Sequence, residues 1–472
     1  MSLLCPRFPQ RPALVLDGGE VLSYSDLRQA VQAFKPHWRS RELAFLLLDN
    51  DLGSLLAYLS ALEAGAVPLL LGAGLPQHAL RSLLDRYQPE SVWAPVSRQS
   101  GLPDFDTVLS EGDGCLLRRR QPVRPAAAGL HPDLALLLAT SGSTGTPKLV
   151  RLSESNLLSN ADSIAQYLLL DEHDRGITTL PFNYSFGLSV INSHLRVGAS
   201  VVMTRLGLFD GGFWPLLRQH GVTRFQGVPF TYEMLLKLRL DRLDMGAVRT
   251  MTVAGGRLAP ERVKQVHQSC QAKGIDFYVM YGQTEATARM AYLPPEQVAL
   301  KPDSIGGAIP GGHLSLIDEQ GQPITQVGQT GELIYRGPNV CLGYAESRSD
   351  LQSGDLHGGV LRTGDLARFD ADGCFYIEGR LHRFLKIHGV RVSLAAVERL
   401  LEQRGVMSAA WGVDDRLCIS IQAIDDSALP SLRDELAALL NVNRSTLSMQ
   451  AVAELPRLDS GKIDYARLSA AA

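Results

Sequence analysis

The 472-residue chain lacks the features that mark metal-binding, membrane-spanning and nucleic-acid-binding proteins. Its cysteines are scattered without the paired spacing of a metal site, so we expect a reducing, cytoplasmic location. A formal net charge of −3 gives no reason to expect nucleic acid or an anionic membrane as a partner. No apolar run approaches the length of a membrane span, and the N-terminus lacks a signal-peptide pattern. The cysteines are Cys5, Cys115, Cys270, Cys341, Cys374 and Cys418.

Strands that alternate with helices account for most of the chain. This alternation implies parallel sheets that are covered on both faces. It continues through two successive stretches, the second ending with a strand at residues 275–280. From about Ser304 the pattern changes to short strands and Gly/Pro turns. We therefore predict an α/β fold. A large N-terminal domain (residues 1–379) contains two doubly wound α/β subdomains and a β-rich subdomain, and a small mobile α+β lid (residues 380–472) follows.

Residues 140–148 form a loop of glycines and hydroxyls between two apolar strands, and they read Thr-Ser-Gly-Ser-Thr-Gly-Thr-Pro-Lys. Glycines allow positive φ and close backbone approach, and successive exposed N–H groups make an anion-binding nest. The loop therefore predicts a polyphosphate ligand. The alternative is a flexible linker, which is not usually placed between buried strands. A Walker-type loop is excluded, because a proline precedes Lys148 and a strand follows it. The predicted ligand-binding residues are Thr140, Ser141, Gly142, Ser143, Thr144, Gly145, Thr146 and Lys148.

Two acidic motifs stand where open α/β sheets and short strands bind nucleotides. The run Tyr281, Gly282, Gln283, Thr284, Glu285 directly follows a strand. Glu285 is suited to a magnesium ion that bridges phosphate oxygens, although by itself it also fits a helix N-terminal carboxylate. Asp365, in Arg-Thr-Gly-Asp, is suited to accept both hydroxyls of a ribose, although a turn aspartate is the ordinary alternative.

Two basic motifs follow. Residues 379–386 include Arg380 and read as phosphate-contacting or as an exposed basic linker. Lys462, in Ser-Gly-Lys near the C-terminus, is by itself most simply a solvated tail residue. Individually only the phosphate loop is specific. Together, in this order and spacing, the motifs are highly specific.

In these motifs the chain resembles the adenylate-forming superfamily of acyl-CoA synthetases, nonribosomal peptide adenylation domains and beetle luciferases. The resemblance extends from Ser23 to Lys462. It implies a large N-terminal domain with a mobile C-terminal lid. It also implies that ATP and a carboxylic acid give an acyl-adenylate and pyrophosphate, after which a thiol takes the acyl group.

The resemblance also assigns roles to residues. Residues 140–148 match the loop that grips the β- and γ-phosphates, and residues 281–285 match the segment along the adenine and α-phosphate. Asp365 matches the ribose carboxylate, with Arg380 beside it. Lys462 matches the lid lysine that reaches the substrate carboxylate and the α-phosphate. The expected catalytic residues are Lys462, Glu285 and Thr144, with Glu285 also the ligand of Mg²⁺.

The lid of the family rotates between the two half-reactions, and its usual Asp or Lys pivot aligns with His382, so the hinge residue stays open. The acid pocket is expected near residues 182–187, 228–232 and 254–257 and just before Tyr281. Amino-acid-activating members carry an Asp where this chain has Ser185. A buried ammonium without a carboxylate is costly, so we favour an acid without an α-amino group. The expected pocket residues are Phe182, Asn183, Tyr184, Ser185, Gly255 and Gly256.

Several functions remain open from the sequence. We expect a stand-alone enzyme, because no carrier segment follows Asp464 and no condensation domain precedes Ser23. Its acceptor is coenzyme A or the phosphopantetheine of a separate carrier protein. The alternatives are an amino-acid adenylation enzyme that loads a peptidyl carrier protein, a luciferase-like oxidase, a plain NTPase, and a degenerate non-catalytic adenylate-binding protein.

Overall fold

The computed structural model describes residues 3–121, 129–140, 148–381, 383–388, 390–440, 442–458 and 461–470. Regular structure in these ranges comprises 27 strands and 12 helices. The strands are β1 (Pro12–Leu16), β2 (Val21–Ser23), β3 (Leu43–Leu48), β4 (Val67–Gly72), β5 (Ser91–Pro95), β6 (Phe105–Glu111), β7 (Gly114–Arg119), β8 (Leu134–Ala139), β9 (Leu149–Ser153), β10 (Arg175–Ile177), β11 (Ser200–Met203), β12 (Arg224–Gly227), β13 (Thr250–Val253), β14 (Asp276–Tyr281), β15 (Ala291–Leu293), β16 (Gly307–Ala308), β17 (His313–Ile317), β18 (Pro323–Ile324), β19 (Gly331–Arg336), β20 (Gly343–Ala345), β21 (Val360–Phe369), β22 (Phe375–Arg380), β23 (Phe384–Ile387), β24 (Val390–Ser393), β25 (Ser408–Val413), β26 (Arg416–Gln422) and β27 (Leu447–Val452). The helices are α1 (Tyr24–Phe34), α2 (Leu52–Ala64), α3 (Gln77–Tyr87), α4 (Glu154–Tyr167), α5 (Ser185–Val197), α6 (Phe213–Gln219), α7 (Pro229–Lys237), α8 (Pro260–Gln271), α9 (Pro295–Val298), α10 (Leu394–Glu402), α11 (Leu429–Leu440) and α12 (Tyr465–Ala470).

The first α/β unit is built on an eight-stranded sheet in the order β20-β9-β8-β4-β3-β5-β7-β6. Its central strands β8, β4, β3 and β5 are parallel. Every residue of β3 is buried, because helices cover both faces of a parallel sheet. Helix α2 packs against this sheet. The Asp51 side chain caps its N-terminus by accepting from Ser54 N, and Gly65 in the left-handed region ends it.

The second α/β unit contains two strand groups, β10-β11-β1-β2 and β12-β13-β14-β15-β16. A hydrogen bond from Thr223 N to Arg175 O (2.9 Å) joins them. The N-terminal hairpin β1–β2 belongs to this unit, because β1 runs parallel to β11 with Leu14 opposite Val201. The carboxyl end of β14 leads directly into Gly282, which places the predicted nucleotide motif at the edge where such sheets bind ligands.

A five-stranded antiparallel sheet, β18-β17-β19-β21-β22, forms the β-rich unit. The C-terminal unit follows, with the hairpin β23–β24, the sheet β25-β26-β27 and helices α10 to α12. Its own hydrophobic core includes Val397, Leu417 and Ile419, all fully buried. The expected α/β fold class, with two α/β units, a β-rich unit and a C-terminal unit, is confirmed.

Some local expectations were wrong. The stretch 111–132 is rich in Arg, Pro and Ala, which predicts a connection into the phosphate-loop region. Residues 114–119 instead form strand β7, and the Arg119 guanidinium lies over the Phe105 ring, 4.8 Å from its centroid. The aromatic run at residues 181–187 predicts a loop before a helix over residues 188–195. Helix α5 instead begins at Ser185, so residues 185–187 belong to its first turn. The sequence predicts that Ser25 caps the first helix. The cap is instead Ser23, whose hydroxyl accepts from Asp26 N at the start of α1.

All six cysteines lie within the described residues, and each is buried and free. Within the part of the chain that the structure describes, no helix combines the length and the apolar character needed to cross a membrane.

Candidate active site

The two ends of the predicted phosphate loop are held together. Both the backbone N and the Oγ1 of Thr140 donate to the carbonyl oxygen of Lys148, each at 3.1 Å. The Lys148 Nζ lies 2.7 Å from Glu346 Oε1 and 5.9 Å from the centroid of the Tyr344 ring. The predicted ligand residues Ser141, Gly142, Ser143, Thr144, Gly145 and Thr146 lie outside the described residues.

Glu285 lies close to this loop stem, because both contact Tyr344. The Tyr344 hydroxyl donates to Glu285 Oε1 at 2.9 Å, and the Glu285 carbonyl accepts from Cys341 N at 2.8 Å. Burial and the neighbouring Glu285 carboxylate raise the pKa of Tyr344, so its hydroxyl stays a proton donor. Tyr344 therefore orients the Glu285 carboxylate near Lys148.

Glu285 fits a magnesium ion that takes most of its ligands from a nucleotide. Among the described residues, no cluster of three or more His, Cys, Asp or Glu side chains is arranged as a metal cage. Magnesium commonly uses one or two protein carboxylates and completes its shell with phosphate oxygens and water. A single fixed carboxylate beside a phosphate loop is therefore a suitable donor set.

The turn after β14 needs glycine at position 282. A Cβ on Gly282 would lie 1.7 Å from the Ala288 carbonyl oxygen, which no side chain tolerates. The turn closes with a hydrogen bond from Met290 N to Tyr281 O (2.9 Å). The Asn339 amide donates to the carbonyl oxygens of Ala286 (2.9 Å) and Arg289 (3.0 Å). Residues 281–290 are thus held in one conformation.

Asp365 is buried, and several donors fix its carboxylate. Its Oδ2 accepts from the Tyr281 hydroxyl and from Gln283 Nε2 (2.9 Å), and its Oδ1 accepts from Arg380 Nε (3.0 Å). Asp365 and Arg380 stand opposite each other in the β21–β22 pair. Burial and the adjacent carboxylate raise the pKa of Tyr281 far above its ordinary value. The structure therefore brings together the motifs at residues 281–285, 365 and 380.

Lys462 faces the N-terminal part of the molecule. Its Nζ lies 5.8 Å from the centroid of the Tyr184 ring. The preceding Gly461 has φ +77°, and a Cβ there would lie 2.8 Å from a Val228 methyl. The backbone at Gly461 therefore packs closely against the turn that begins α7, and this contact brings Lys462 to the edge of the predicted acid pocket.

Arg457 links the same C-terminal loop to helix α7. Its guanidinium lies 3.5 Å from Glu233 Oε2 and 4.9 Å from the centroid of the Phe230 ring. It also donates to the Gly461 carbonyl at 3.0 Å. Burial raises the pKa of Glu233, and the Arg457 charge acts against that shift.

A second link lies at α10. Arg257 pairs with Glu402 of the C-terminal unit and with Asp303 at 3.0 Å. Arg399, also on α10, donates to the Ile377 carbonyl (3.4 Å) and to that of Glu378. His382, which aligns with the pivot position of the family, lies outside the described residues.

Four of the predicted pocket residues, Tyr184, Ser185, Gly255 and Gly256, lie together. The Tyr184 hydroxyl would be 3.1 Å from a Cβ on Gly255, whose φ is +87°. Ser185 Oγ lies 3.3 Å from the Thr284 hydroxyl, which connects the pocket to the nucleotide motif. Gly256 packs near Pro229: a Cβ on Gly256 would lie 3.3 Å from Pro229 Cγ.

The other two predicted pocket residues face the first sheet. Phe182 is buried in the core of the first unit, and its ring centroid lies 6.4 Å from that of Tyr58. The Asn183 amide nitrogen lies 3.5 Å from a Cβ position on Gly72, at the end of β4.

The sequence interpretation missed Arg289 and Tyr344. Arg289 is 2% exposed and lies over the Phe186 ring, with 4.4 Å from its guanidinium carbon to the ring centroid. Its position four residues after Glu285, in the same turn, was the available signal. Tyr344 has no motif around it and is recognised only by its contact with Glu285.

The chain is similar to known proteins in both sequence and fold. The family model described as "AMP-binding enzyme" matches residues 4–345. A sulfoacetate–CoA ligase of Cupriavidus necator is 32% identical over 397 residues, 80% of this chain and 76% of that protein. An oxalate–CoA ligase of Arabidopsis thaliana is 26% identical over 494 residues, 97% of this chain and 95% of that protein. The solved O-succinylbenzoate coenzyme A synthetase of Bacillus subtilis, in complex with ATP and magnesium ion, has a TM-score of 0.78 at 23% identity and covers 96% of each chain.

Proposed function

The chain belongs to the AMP-binding enzyme family, as an AMP-forming acid–thiol ligase, and from that premise we propose how its own residues divide the reaction. In the first half-reaction a carboxylate oxygen of the acid bonds to the α-phosphorus of ATP, and pyrophosphate leaves. In the second, a thiol sulfur bonds to the acyl carbon, and AMP leaves. Catalysis is then mostly positioning and neutralisation of charge.

We assign the nucleotide to the groups around Asp365 and the phosphate loop. The Asp365 carboxylate, held by Tyr281, Gln283 and Arg380, accepts the ribose hydroxyls. The loop at residues 140–148 holds the β- and γ-phosphates. Glu285, oriented by the Tyr344 hydroxyl, would hold Mg²⁺, which when bound neutralises phosphate charge.

We assign Lys462 to the meeting point of the two anions. The acid carboxylate and the α-phosphate repel one another as they approach, and an ammonium between them lowers that cost. Lys462 Nζ beside Tyr184 supports this assignment. We further propose that residues 380–472 are a lid which carries Lys462 away for thioester formation, a hinge-type motion of the whole unit about the segment near residue 382.

The acid lacks an α-amino group. Ser185 is bonded to the Thr284 hydroxyl and carries no charge to pair with an ammonium. The guanidinium of Arg289, over the neighbouring Phe186 ring, would repel one. A buried ammonium with a cation nearby and no carboxylate partner is strongly unfavourable.

We propose that coenzyme A is the acceptor thiol, since both relatives described above are named as coenzyme A ligases. The observation that carries the function is the assembly of the 281–285 motif, Asp365 and Arg380 in one network, with Lys462 presented at the pocket edge.

The test is ATP–pyrophosphate exchange against a panel of short aliphatic, hydroxy, aryl and amino acids. Exchange that depends on one class of acid, followed by thioester formation with coenzyme A, is the expected result. Release of orthophosphate without exchange would show a plain NTPase and refute the proposal. Exchange followed by transfer only to a phosphopantetheinylated carrier protein would refute the acceptor alone.

A further inference from the structure

Arg289 is a buried cation that has no anionic partner among the described residues. It is 2% exposed, and within the described residues no carboxylate lies within 4.0 Å of its guanidinium nitrogens. Its partners are neutral: the Tyr167 hydroxyl at 3.0 Å, the Ser189 hydroxyl at 3.2 Å and the Met280 sulfur. Its Nε has no hydrogen-bond partner in the structure. A charge taken out of water in this way is costly unless something completes its shell.

The nearby charged groups do not supply the missing anion. The Asp174 carboxylate accepts from Arg224 (2.6 and 2.9 Å) and from Arg249 (2.8 Å), so two guanidinium groups already share it. His194 is also buried, and its burial lowers its pKa to about 4, so it is neutral. The Nε2 of His194 has no hydrogen-bond partner in the part of the chain that the structure describes. The interior around Arg289 thus carries an excess positive charge.

Arg289 lies at the wall of the acid pocket. It stacks on Phe186, the residue after Ser185, and Phe186 also lies 4.0 Å from a Cβ position on Gly255, where the Tyr184 hydroxyl is found. Tyr184 in turn faces Lys462 Nζ. The aromatic pair therefore has one cation, Lys462, beside its first ring and a second, Arg289, over its other ring.

The surroundings of this wall are apolar. Phe186, Val228, Ala254 and Met280 belong to one hydrophobic cluster, against which Tyr184 packs. Behind it, a void of 10 Å³ borders Arg289 and His194, with room for about one water molecule. An anion that enters a low-dielectric site beside a fixed guanidinium is bound strongly, often through two parallel hydrogen bonds.

We propose that the acid carries a second anionic group, a carboxylate or a sulfonate, which Arg289 binds while Lys462 meets the reacting carboxylate. The substrate class is then a small dianionic acid whose two charged ends are separated by an apolar stretch against Tyr184 and Phe186. This inference rests on the proposed function and narrows it. Arg289 is the residue that distinguishes such acids from monoanionic ones.

The contrasting explanation is structural: Arg289 only stacks on Phe186 and bonds Tyr167 and Ser189. The two explanations differ in what a change at this residue does. A purely structural arginine affects all acids alike, whereas an anion-binding arginine affects only acids with the second charge.

Matched pairs of acids test this with the wild-type enzyme alone. Each pair differs only by a methyl group in place of the second anion: malonate and propionate, succinate and butyrate, glutarate and pentanoate, terephthalate and 4-methylbenzoate. Sulfoacetate, set against malonate, distinguishes sulfonate from carboxylate. In ATP–pyrophosphate exchange we expect one dianion to exceed its monoanionic partner at least 100-fold in kcat/KM. A monoanion that equals or exceeds its dianionic partner throughout would overturn the inference and leave the ligase assignment intact. No exchange with any acid, while ATP still binds, would overturn both the inference and the ligase assignment.

Variants then locate the selectivity. Arg289→Met should lose at least 100-fold with the preferred dianion and retain or improve its activity with the monoanionic partner. The activity of Arg289→Lys with the preferred dianion should lie between that of the wild type and that of Arg289→Met. Arg196→Met, on the same helix as Phe186 and paired with Asp162, is the matched control and should change neither. An equal loss for both members of the pair in both Arg289 variants would refute the inference in favour of the structural explanation.

Discussion

The contact between Arg457 and Glu233 predicts which half-reaction becomes slower when the C-terminal unit is held less firmly. Arg457 lies five residues before Lys462 and donates to the carbonyl of Gly461, the residue next to it. The same guanidinium reaches Glu233 on α7, and both side chains are largely buried, at 17% and 20% exposure. The pair therefore fixes the loop of Lys462 on the body of the enzyme. Arg457→Met keeps the length of the side chain and removes its charge.

The expected size of the effect follows from the burial of the pair. Truncating one partner of a charge-assisted contact costs about 2 kcal/mol. Since about 1.4 kcal/mol is a tenfold change in an equilibrium constant, the lid arrangement seen here would become less populated by up to about 30-fold. The loss of Arg457 also leaves Glu233 buried and unpaired, which destabilises the same interface.

Two assays on the same variant separate the half-reactions. Pyrophosphate exchange should fall by about 10- to 30-fold, in line with the lid equilibrium. Thioester formation from supplied acyl-adenylate should not fall, because in the proposed lid motion that step uses a different arrangement. Arg457→Lys should recover part of the loss. Arg444→Met breaks an exposed pair with Asp434 inside the C-terminal unit and serves as the control. An equal loss in both half-reactions, or none in exchange, would refute the reasoning.

Three further predictions follow from single residues. Lys462→Ala should lower the rate of adenylation by about 100-fold or more, because it removes the charge assigned to this lysine. ATP binding, measured by calorimetry, should be retained. Normal pyrophosphate exchange by this variant would exclude the assigned role. Asp365→Asn should raise the KM for ATP about 10-fold or more and leave the KM for the acid unchanged, because it loses charge-assisted bonds to the ribose; an equal rise in both would contradict the assignment. Burial lowers the pKa of His194 from 6.5 to about 4, so His194 takes up a proton on unfolding below pH 6.5. The free energy of unfolding should therefore be highest above pH 6.5 and fall by about 3 kcal/mol by pH 4. In denaturant titrations His194→Asn should reduce that fall, and an unchanged pH dependence would contradict the prediction.

Local patterns predicted the elements of the fold but not all of their partners. The buried run in β3 and the Gly65 stop after α2 are written in consecutive residues, so the sequence shows them directly. The N-terminal hairpin is also locally visible. Its pairing with β11 is not, because Leu14 and Val201 are brought together by the rest of the chain. Periodicity states that a strand exists, not which strand lies beside it.

The same limit applies to the site. Asp365 and Arg380 are marked by motifs, and their pairing follows from a strand register that the motif order alone does not contain. The basic cluster at residues 118–120 predicts a solvated loop. Arg119 is instead partly buried: its Nε donates to the Pro89 carbonyl, and burial lowers its pKa. Arg289 likewise looks ordinary in the sequence. Only burial without an anion distinguishes it, and burial is a property of the folded chain.

The two cations of the proposed acid site belong to different parts of the molecule, and this has a mechanistic consequence. Lys462 is on the C-terminal unit and, in the proposed lid motion, would move away with that unit. Arg289 is on the body, where Asn160 and Asn339 both donate to its carbonyl oxygen, at 3.1 and 3.0 Å, and it stays in place. The reacting carboxylate, which Lys462 neutralises, is no longer a free anion once the acyl-phosphate bond has formed. The charge at the far end of the acid persists through both half-reactions. A fixed guanidinium is therefore suited to hold the acyl-adenylate while the lid moves, and a moving ammonium is suited to make it.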